Sequence, residues 1–318
     1  MPLPEPIVFE PLFMERVWGG RRLESLYGKR LQQGVRIGES WEIVDREEAQ
    51  SVVHTGAFRG TTLHELWTRH RTEVFGDHVK DAARFPLLFK LLDAQERLSV
   101  QVHPPAEVAA QLGGEPKTEM WYFMDTQLDS DLYAGLKRGV GRAEFDRALT
   151  EGRVADLIHR VTSRAGDAFF IPSGRIHAIG AGNVIFEVQQ NSDTTYRVFD
   201  WNRLGLDGKP RQLHVQESLA SINFDDPEPG LATRQGEIVV ACEEFRVEQW
   251  RIEGARPAVE NGTFAIFCVE HGEVTCGSMN FTAGQFFLVP AEWRDAEVRC
   301  NSVQSAVALR TTIPLIDE

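Results

Sequence analysis

The chain has 318 residues, 42% of them hydrophobic and 25% charged, with a formal net charge of −13. That length exceeds the usual size of one core and predicts two domains, or one domain with extensions. The acidic balance argues against nucleic acid and anionic membranes as partners, and no apolar run approaches the roughly 18 residues a transmembrane helix needs. The N-terminus, MPLPEPIVFEP, lacks the basic start and apolar stretch of a signal peptide, so a cytoplasmic protein is expected. Cys242, Cys268, Cys276 and Cys300 match no zinc-finger or CxxC spacing and are expected as buried free thiols.

Residues 7–60 carry short apolar runs and turns, with IGESWEIV (37–44) as the clearest strand. TTLHELWTRHRTEVFGDHVK (61–80) has a helical pattern: Thr61 or Thr62 caps the start, and Leu63, Leu66 and Val74 share a face. FPLLFKLLDA (85–94) predicts a buried strand interrupted by Lys90. LSVQVHP (98–104) alternates and stops at a proline, as a strand does. A short helix and a glycine turn are expected over 105–118, and a strand at MWYFMDT (120–126). Residues 139–163 read as a helical region packed through Phe145, Leu149, Val154, Leu157 and Ile158. From Gly166 to Phe199 the chain reads strand, turn, strand. FDDPEPG (224–230) has the composition of a linker, and turns follow at Glu260–Gly262, His271–Gly272 and Ala283–Gly284.

AGDAFFIP (165–172) and AGQFFLVP (283–290) align without a gap. Each has an Ala-Gly turn, an apolar strand and a terminating proline. The repeat predicts two related β-barrels in tandem. Five residues beyond the proline the copies diverge, to His177 in the first and Asp295 in the second. The first barrel is therefore expected to hold any metal, and the second to be metal-free.

Gln101 and His103 stand two apart, so a strand projects both from one face. His177 follows the turn IPSGRIH, which can aim an imidazole inward, and Glu119 opens the apolar strand in KTEMW. A carboxylate there needs a partner, because an unpaired buried charge is costly. Two imidazoles, a carboxylate and an amide oxygen suit one divalent metal, with zinc the favoured choice. One carboxylate leaves a net charge of about +1, so such an ion stays a Lewis acid. The bland alternative for each histidine is an ordinary, partly buried side chain.

FKLLDAQERLSVQVHP, KTEMWY, IPSGRIHAIG and FEVQQNSDTTYRVFDWNR, in this order, resemble the type I phosphomannose isomerases, and the length resembles their short bacterial form. The resemblance covers most of residues 10–220 and weakens after 230. It implies a mainly β protein of two cupin-like (jelly-roll) barrels with a small helical region. It also implies a zinc ion on Gln101, His103, Glu119 and His177, and interconversion of mannose 6-phosphate and fructose 6-phosphate through a cis-enediol. The domains expected are a metal-binding cupin unit over 1–223 with a helical insertion at about 139–163, a linker at 224–230, and a metal-free cupin-like unit over 231–318.

Such chemistry needs a base near two carbons and a cationic grip on phosphate. Arg197 in DTTYRVFD matches a family active-site arginine; its plain alternative is an ion pair with Asp193 or Asp200. Glu187 in VIFEVQQ sits between apolar residues, where burial raises a carboxyl pKa toward a useful range for a base. Lys90 needs an anionic neighbour, which substrate phosphate or Glu187 would supply, or else snorkels. Trp18 and Gly19 in RVWGG resemble a segment at the site's entrance, with aromatic packing as the cautious reading of Trp18. Ala178 and Ile179 follow His177 where the eukaryotic form carries a tyrosine. The partner expected is a small phosphorylated sugar, and the chain a monomer or homodimer. Two other readings compete: a cupin iron oxygenase, because two His and a Glu approach a facial triad, and a sugar-phosphate-binding cupin without catalysis.

Overall fold

The computed structural model describes residues 5–260, 262–301 and 304–314. Asn261, in the expected Glu260–Gly262 turn, lies outside the described residues.

The first half contributes β1 (Leu12–Gly20), β2 (Ile37–Ile43), β3 (Leu87–Ala94), β4 (Val100–Val102), β5 (Glu119–Thr126), β6 (Asp131–Leu136), β7 (Ile158–Thr162), β8 (Ala168–Ile171), β9 (His177–Ile179), β10 (Asn183–Gln190) and β11 (Tyr196–Phe199). The second half contributes β12 (Ile238–Ala241), β13 (Arg246–Ile252), β14 (Ala255–Pro257), β15 (Ala265–His271), β16 (Glu273–Cys276), β17 (Met279–Thr282), β18 (Phe286–Val289), β19 (Glu297–Arg299) and β20 (Ala306–Thr312). The helices are short: α1 (Arg22–Tyr27), α2 (Leu63–Arg69), α3 (Arg71–Phe75), α4 (Ala106–Ala109), α5 (Arg142–Thr150) and α6 (Val215–Ser221). The protein is thus mainly β.

Four antiparallel sheets form. Their orders are β1-β2-β3-β10-β5-β8, β11-β4-β9-β6-β7, β12-β13-β20-β15-β18 and β14-β19-β16-β17. None closes on itself, so the expected barrels are open two-sheet sandwiches instead. In the first, Trp121, Phe123 and Ile185 of one sheet pack against Leu132, Ala134 and Ile179 of the other. In the second, Trp250 and Phe267 pack against Val274, Phe281 and Val298. The run β3-β10-β5-β8 corresponds strand for strand to β13-β20-β15-β18, and β4-β9-β6-β7 to β14-β19-β16-β17. The repeated octapeptide falls on β8 and β18, the matching edge strands.

Local sequence accounts for most elements. Thr62 caps α2 through a full capping box with Glu65. The expected single helix over 61–80 is two, α2 and α3, meeting at non-helical His70 and stopping at Gly76. The expected helical region over 139–163 holds only as far as Leu157: α5 and a 3₁₀ turn (Val154–Leu157) are followed by strand β7. Ile158 is buried either way, but its ladder with β6 decides the conformation. The segment 224–230 is no free linker. Leu136 N–H donates to Asp226 O, Glu228 N–H to Leu136 O, and Arg175 pairs with Asp226 at 2.6 Å.

The largest apolar cluster crosses from one half to the other, joining Phe75, Phe89 and Phe186 to Phe264, Ile266 and Phe286. All four cysteines are free thiols, and Cys268, Cys276 and Cys300 are buried.

Candidate metal centre

β4 carries Gln101 in register with Arg197 of β11 on one side and His177 of β9 on the other. Directly paired residues project from the same face of a sheet, so this row points its side chains one way. His103 lies one residue past β4, before Pro104 and Pro105 turn the chain. Glu119 comes from the opposite sheet, at the start of β5. The four side chains therefore meet between the two layers of the first sandwich.

His103, Glu119 and His177 are buried, and one nitrogen or carboxylate oxygen of each lies within 4.8 Å of the others. His177 Nε2 is 3.4 Å from Glu119 Oε1, and His103 Nε2 is 3.5 Å from Glu119 Oε2. The other ring nitrogens are occupied: His103 Nδ1 donates to Thr194 O and His177 Nδ1 to Arg175 O, both at 2.8 Å. Each imidazole is thereby held as the tautomer whose Nε2 lone pair faces the carboxylate, the outer support typical of metal-ligating histidines. His103 Nε2 and both Glu119 carboxylate oxygens are buried without a hydrogen bond. Gln101 Nε2 sits 3.3 Å from His177 Nε2, and a half-turn of the amide puts Oε1 there instead. Buried lone pairs and a buried carboxylate converging on one point are what a divalent cation would satisfy, and the N/O donor set fits zinc.

The electrostatics agree. Burial, and then the positive charge of Lys117, depress His103; burial depresses His177 to about 3, so both rings stay neutral. Burial would raise Glu119, but the positive charge of Lys117 outweighs it and holds the carboxyl well below its ordinary value. Lys117 Nζ lies 3.2 Å from Glu119 Oε2.

Beside the cluster opens a cavity of about 600 Å³, whose wall includes Trp18, Lys90, Gln101, Lys117, Glu187 and Arg197. Lys90 and Glu187 are cross-strand partners, and Glu187 also pairs with Trp121. Lys90 Nζ donates to Gln189 Oε1 at 2.7 Å, lies 3.2 Å from Glu187 Oε1 and stands 5.2 Å from the Trp41 ring centre. Its anionic neighbour is thus Glu187. Trp121 Nε1 donates to Glu187 Oε2 at 2.9 Å. Burial raises the Glu187 pKa, against the pull of Lys90. Arg197 makes no ion pair among the described residues. Its Nη1 donates to Gln212 O at 2.8 Å, while its buried Nε has no partner. Burial and then the nearby Arg211 lower its pKa, and the unpartnered Nε edge is what an anion could occupy. Trp18 is packed in the core with one face on the cavity.

Charged wall residues that escaped the sequence reading are Glu15, Arg16, Glu39, Lys117, Asp207 and Arg211. Lys117 had a signal, since it stands two residues before Glu119 and an extended chain puts both on one face. Glu39 Oε2 accepts from Arg16 at 2.9 Å and Trp41 Nε1 at 2.8 Å. Trp41 stands two residues along the same strand, but nothing in that strand points to Arg16.

The sandwich with its buried His/His/Glu cluster and charged cavity defines the class as a cupin-like protein with a candidate metal centre. The family model described as "Phosphomannose isomerase type I, catalytic domain" matches residues 8–131. Mannose-6-phosphate isomerase ManA of Bacillus subtilis (strain 168) is 38% identical over 278 residues, covering 85% of this chain and 86% of that protein. A crystal structure of the mannose 6-phosphate isomerase from Bacillus subtilis superposes with a TM-score of 0.85 at 31% identity, covering 97% of this chain and 99% of that one. A mannose 6-phosphate isomerase bound with zinc and yttrium shares the fold at a TM-score of 0.73 and 17% identity, covering 98% and 100% of the two chains. The chain belongs to the type I phosphomannose isomerase family.

Proposed function

We propose that the protein is a zinc-dependent aldose–ketose isomerase that interconverts mannose 6-phosphate and fructose 6-phosphate. The observation that carries this reading is the pair of neutral imidazoles facing a buried carboxylate beside a cavity whose wall includes Lys90, Lys117, Arg197 and Arg211. Gln101, His103, Glu119 and His177 would hold the zinc. When bound, zinc supplies the Lewis-acid charge that favours an enediolate over the starting carbonyl. Glu187, buried and raised in pKa, takes the proton from C2 and returns it to C1 through the cis-enediol, and runs the same shuttle backwards for the reverse reaction. Lys90 keeps that carboxylate ionised before the transfer and lends its charge to the substrate. Arg197 presents an uncommitted guanidinium edge to phosphate or to the enediolate, and Trp18 forms an apolar wall for the sugar.

The matching strand orders support a tandem of two cupin-like units, residues 1–223 and 231–318, joined by 224–230. In the second unit stacked Phe267, Phe281 and Phe287 fill the interior, with ring centres 5.0 and 4.1 Å apart, which supports a metal-free role. No helix among the described residues is long and apolar enough to cross a membrane. We place the protein in the cytoplasm as a monomer or homodimer. Elemental analysis paired with a coupled mannose 6-phosphate assay, with and without chelator, tests the function. One zinc per chain and loss of turnover on chelation are expected; full turnover after metal removal overturns the reading.

A further inference from the structure

On the outer side of the first sandwich lies a second cavity of about 590 Å³, walled by Arg46, Glu48, Arg84, Glu115, Gln190 and Asn191. The segment Asn191–Thr195, which joins β10 to β11, separates it from the active cavity. Asn191 lines the outer cavity, its side-chain amide donating to Asp45 O and Phe85 O at 2.7 and 2.9 Å, while Asp193 and Thr195 line the inner cavity. Between them the Thr194 carbonyl receives the Nδ1 proton of His103 at 2.8 Å.

Arg46 grips this segment from outside. Its Nη1 donates to Asn191 O at 2.8 Å and to Glu115 Oε2 at 2.9 Å, and its Nε donates to Glu48 at 2.6 Å. Glu115 in turn is stitched to the same segment. Its N–H donates to Thr194 Oγ1 at 3.0 Å, and its carbonyl accepts from Ser192 Oγ at 3.3 Å. Ser192 Oγ also accepts from Thr194 N–H at 3.2 Å. Gly114 permits the close approach, since a Cβ there would sit 2.7 Å from Thr194 Cγ2 and 2.6 Å from Tyr196 Oη. One guanidinium thus ties together the two strands of chain that set the position of the Thr194 carbonyl.

We infer that Arg46 is a positioning residue for the metal centre, acting through Asn191, Glu115 and the Thr194 carbonyl on the ring of His103. The inference rests on reading His103 as a metal ligand. The guanidinium holds Asn191 O and Glu115 through Nη1 while Nε holds Glu48, a rigid set of contacts that a lysine ammonium reproduces less well. Loosening the clamp lets the carbonyl drift, and His103 loses the contact that fixes its tautomer and aim. Outer partners of ligating histidines typically change metal affinity by about 10- to 100-fold, and the extra step through the loop places Arg46 at the lower end, about 10-fold.

The test is a zinc titration of chelator-stripped protein against a chromophoric competitor, without substrate, for the unaltered chain, Arg46→Ala and Arg46→Lys. Circular dichroism and thermal melting of the stripped proteins run alongside. Weaker zinc binding by Arg46→Ala, partial recovery in Arg46→Lys, and activity restored by excess zinc support the inference. Affinity within twofold of the unaltered chain overturns it, whatever happens to the melting temperature, because a merely structural arginine moves melting alone. If Arg46→Ala does not fold, Arg46→Lys decides by the same twofold criterion. Failure of the unaltered chain to bind zinc would instead sink the metal reading beneath it.

Discussion

His103 and His177 are each committed at Nδ1 to a backbone carbonyl, so their Nε2 lone pairs have no role except toward Glu119 and what lies beside it. His103→Ala or His177→Ala is expected to leave the protein folded but without zinc and without isomerase activity, as elemental analysis and the coupled assay would show. Arg197→Ala removes a cavity guanidinium with an unpartnered buried Nε, and should lower kcat/KM by about 100-fold; an unchanged value would leave it a purely structural donor to Gln212. Glu39 supplies a pH dependence. Burial alone would raise its pKa, but Lys90 and Arg16 outweigh that and bring it from the ordinary 4.5 to about 2. The folded carboxyl therefore binds its proton less readily than the unfolded one. Its contribution is complete above the ordinary value and lost as the pH falls from there toward about 2. Comparing urea midpoints at neutral and acid pH, Glu39→Gln should be the less stable protein near neutrality, with the gap narrowing in acid.

The strand β1 meets β2 so closely at Gly19 that a Cβ there would lie 2.4 Å from the Gly38 nitrogen. That approach seats Trp18 in the cavity wall. Gly19→Ala should therefore push β1 outward, raise KM and lower the melting temperature, with kcat less affected. At α2 the capping box closes two backbone donors, and Thr62→Ala is expected to cost about 1 kcal/mol in chemical denaturation without touching KM. The alternation of LSVQVHP and the apolar run of β3 were legible because each is a property of neighbouring residues. The region after Leu157 was not: Ile158–Thr162 carries a pattern compatible with either state, and pairing with β6 selects the strand.

Phe286, from the second sandwich, stacks on Phe186 of β10 with ring centres 5.8 Å apart, and lies 6.5 Å from Phe89. The two sandwiches thus share a core, and β10, which carries Glu187, is part of it. A single calorimetric transition is expected rather than two. Phe286→Ala should lower stability by about 3–5 kcal/mol and shift that one transition as a whole; two separated transitions would show the halves to be independent.

The chain's order of residues was enough for what depends on spacing: the Gln-x-His pair on one strand face, the carboxylate that opens an apolar strand, the duplicated octapeptide and the family they resemble. Those features are short in range, and period-two geometry turns spacing directly into direction. Tertiary structure alone settled which groups meet across strands. Lys90 finds Glu187 and Glu187 finds Trp121 because β3, β10 and β5 lie side by side in one register. Glu39 finds Arg16, and Asn191–Thr195 reaches His103, by contacts between residues far apart along the chain. Such meetings depend on strand order and on the packing of two sheets, and no local pattern encodes either.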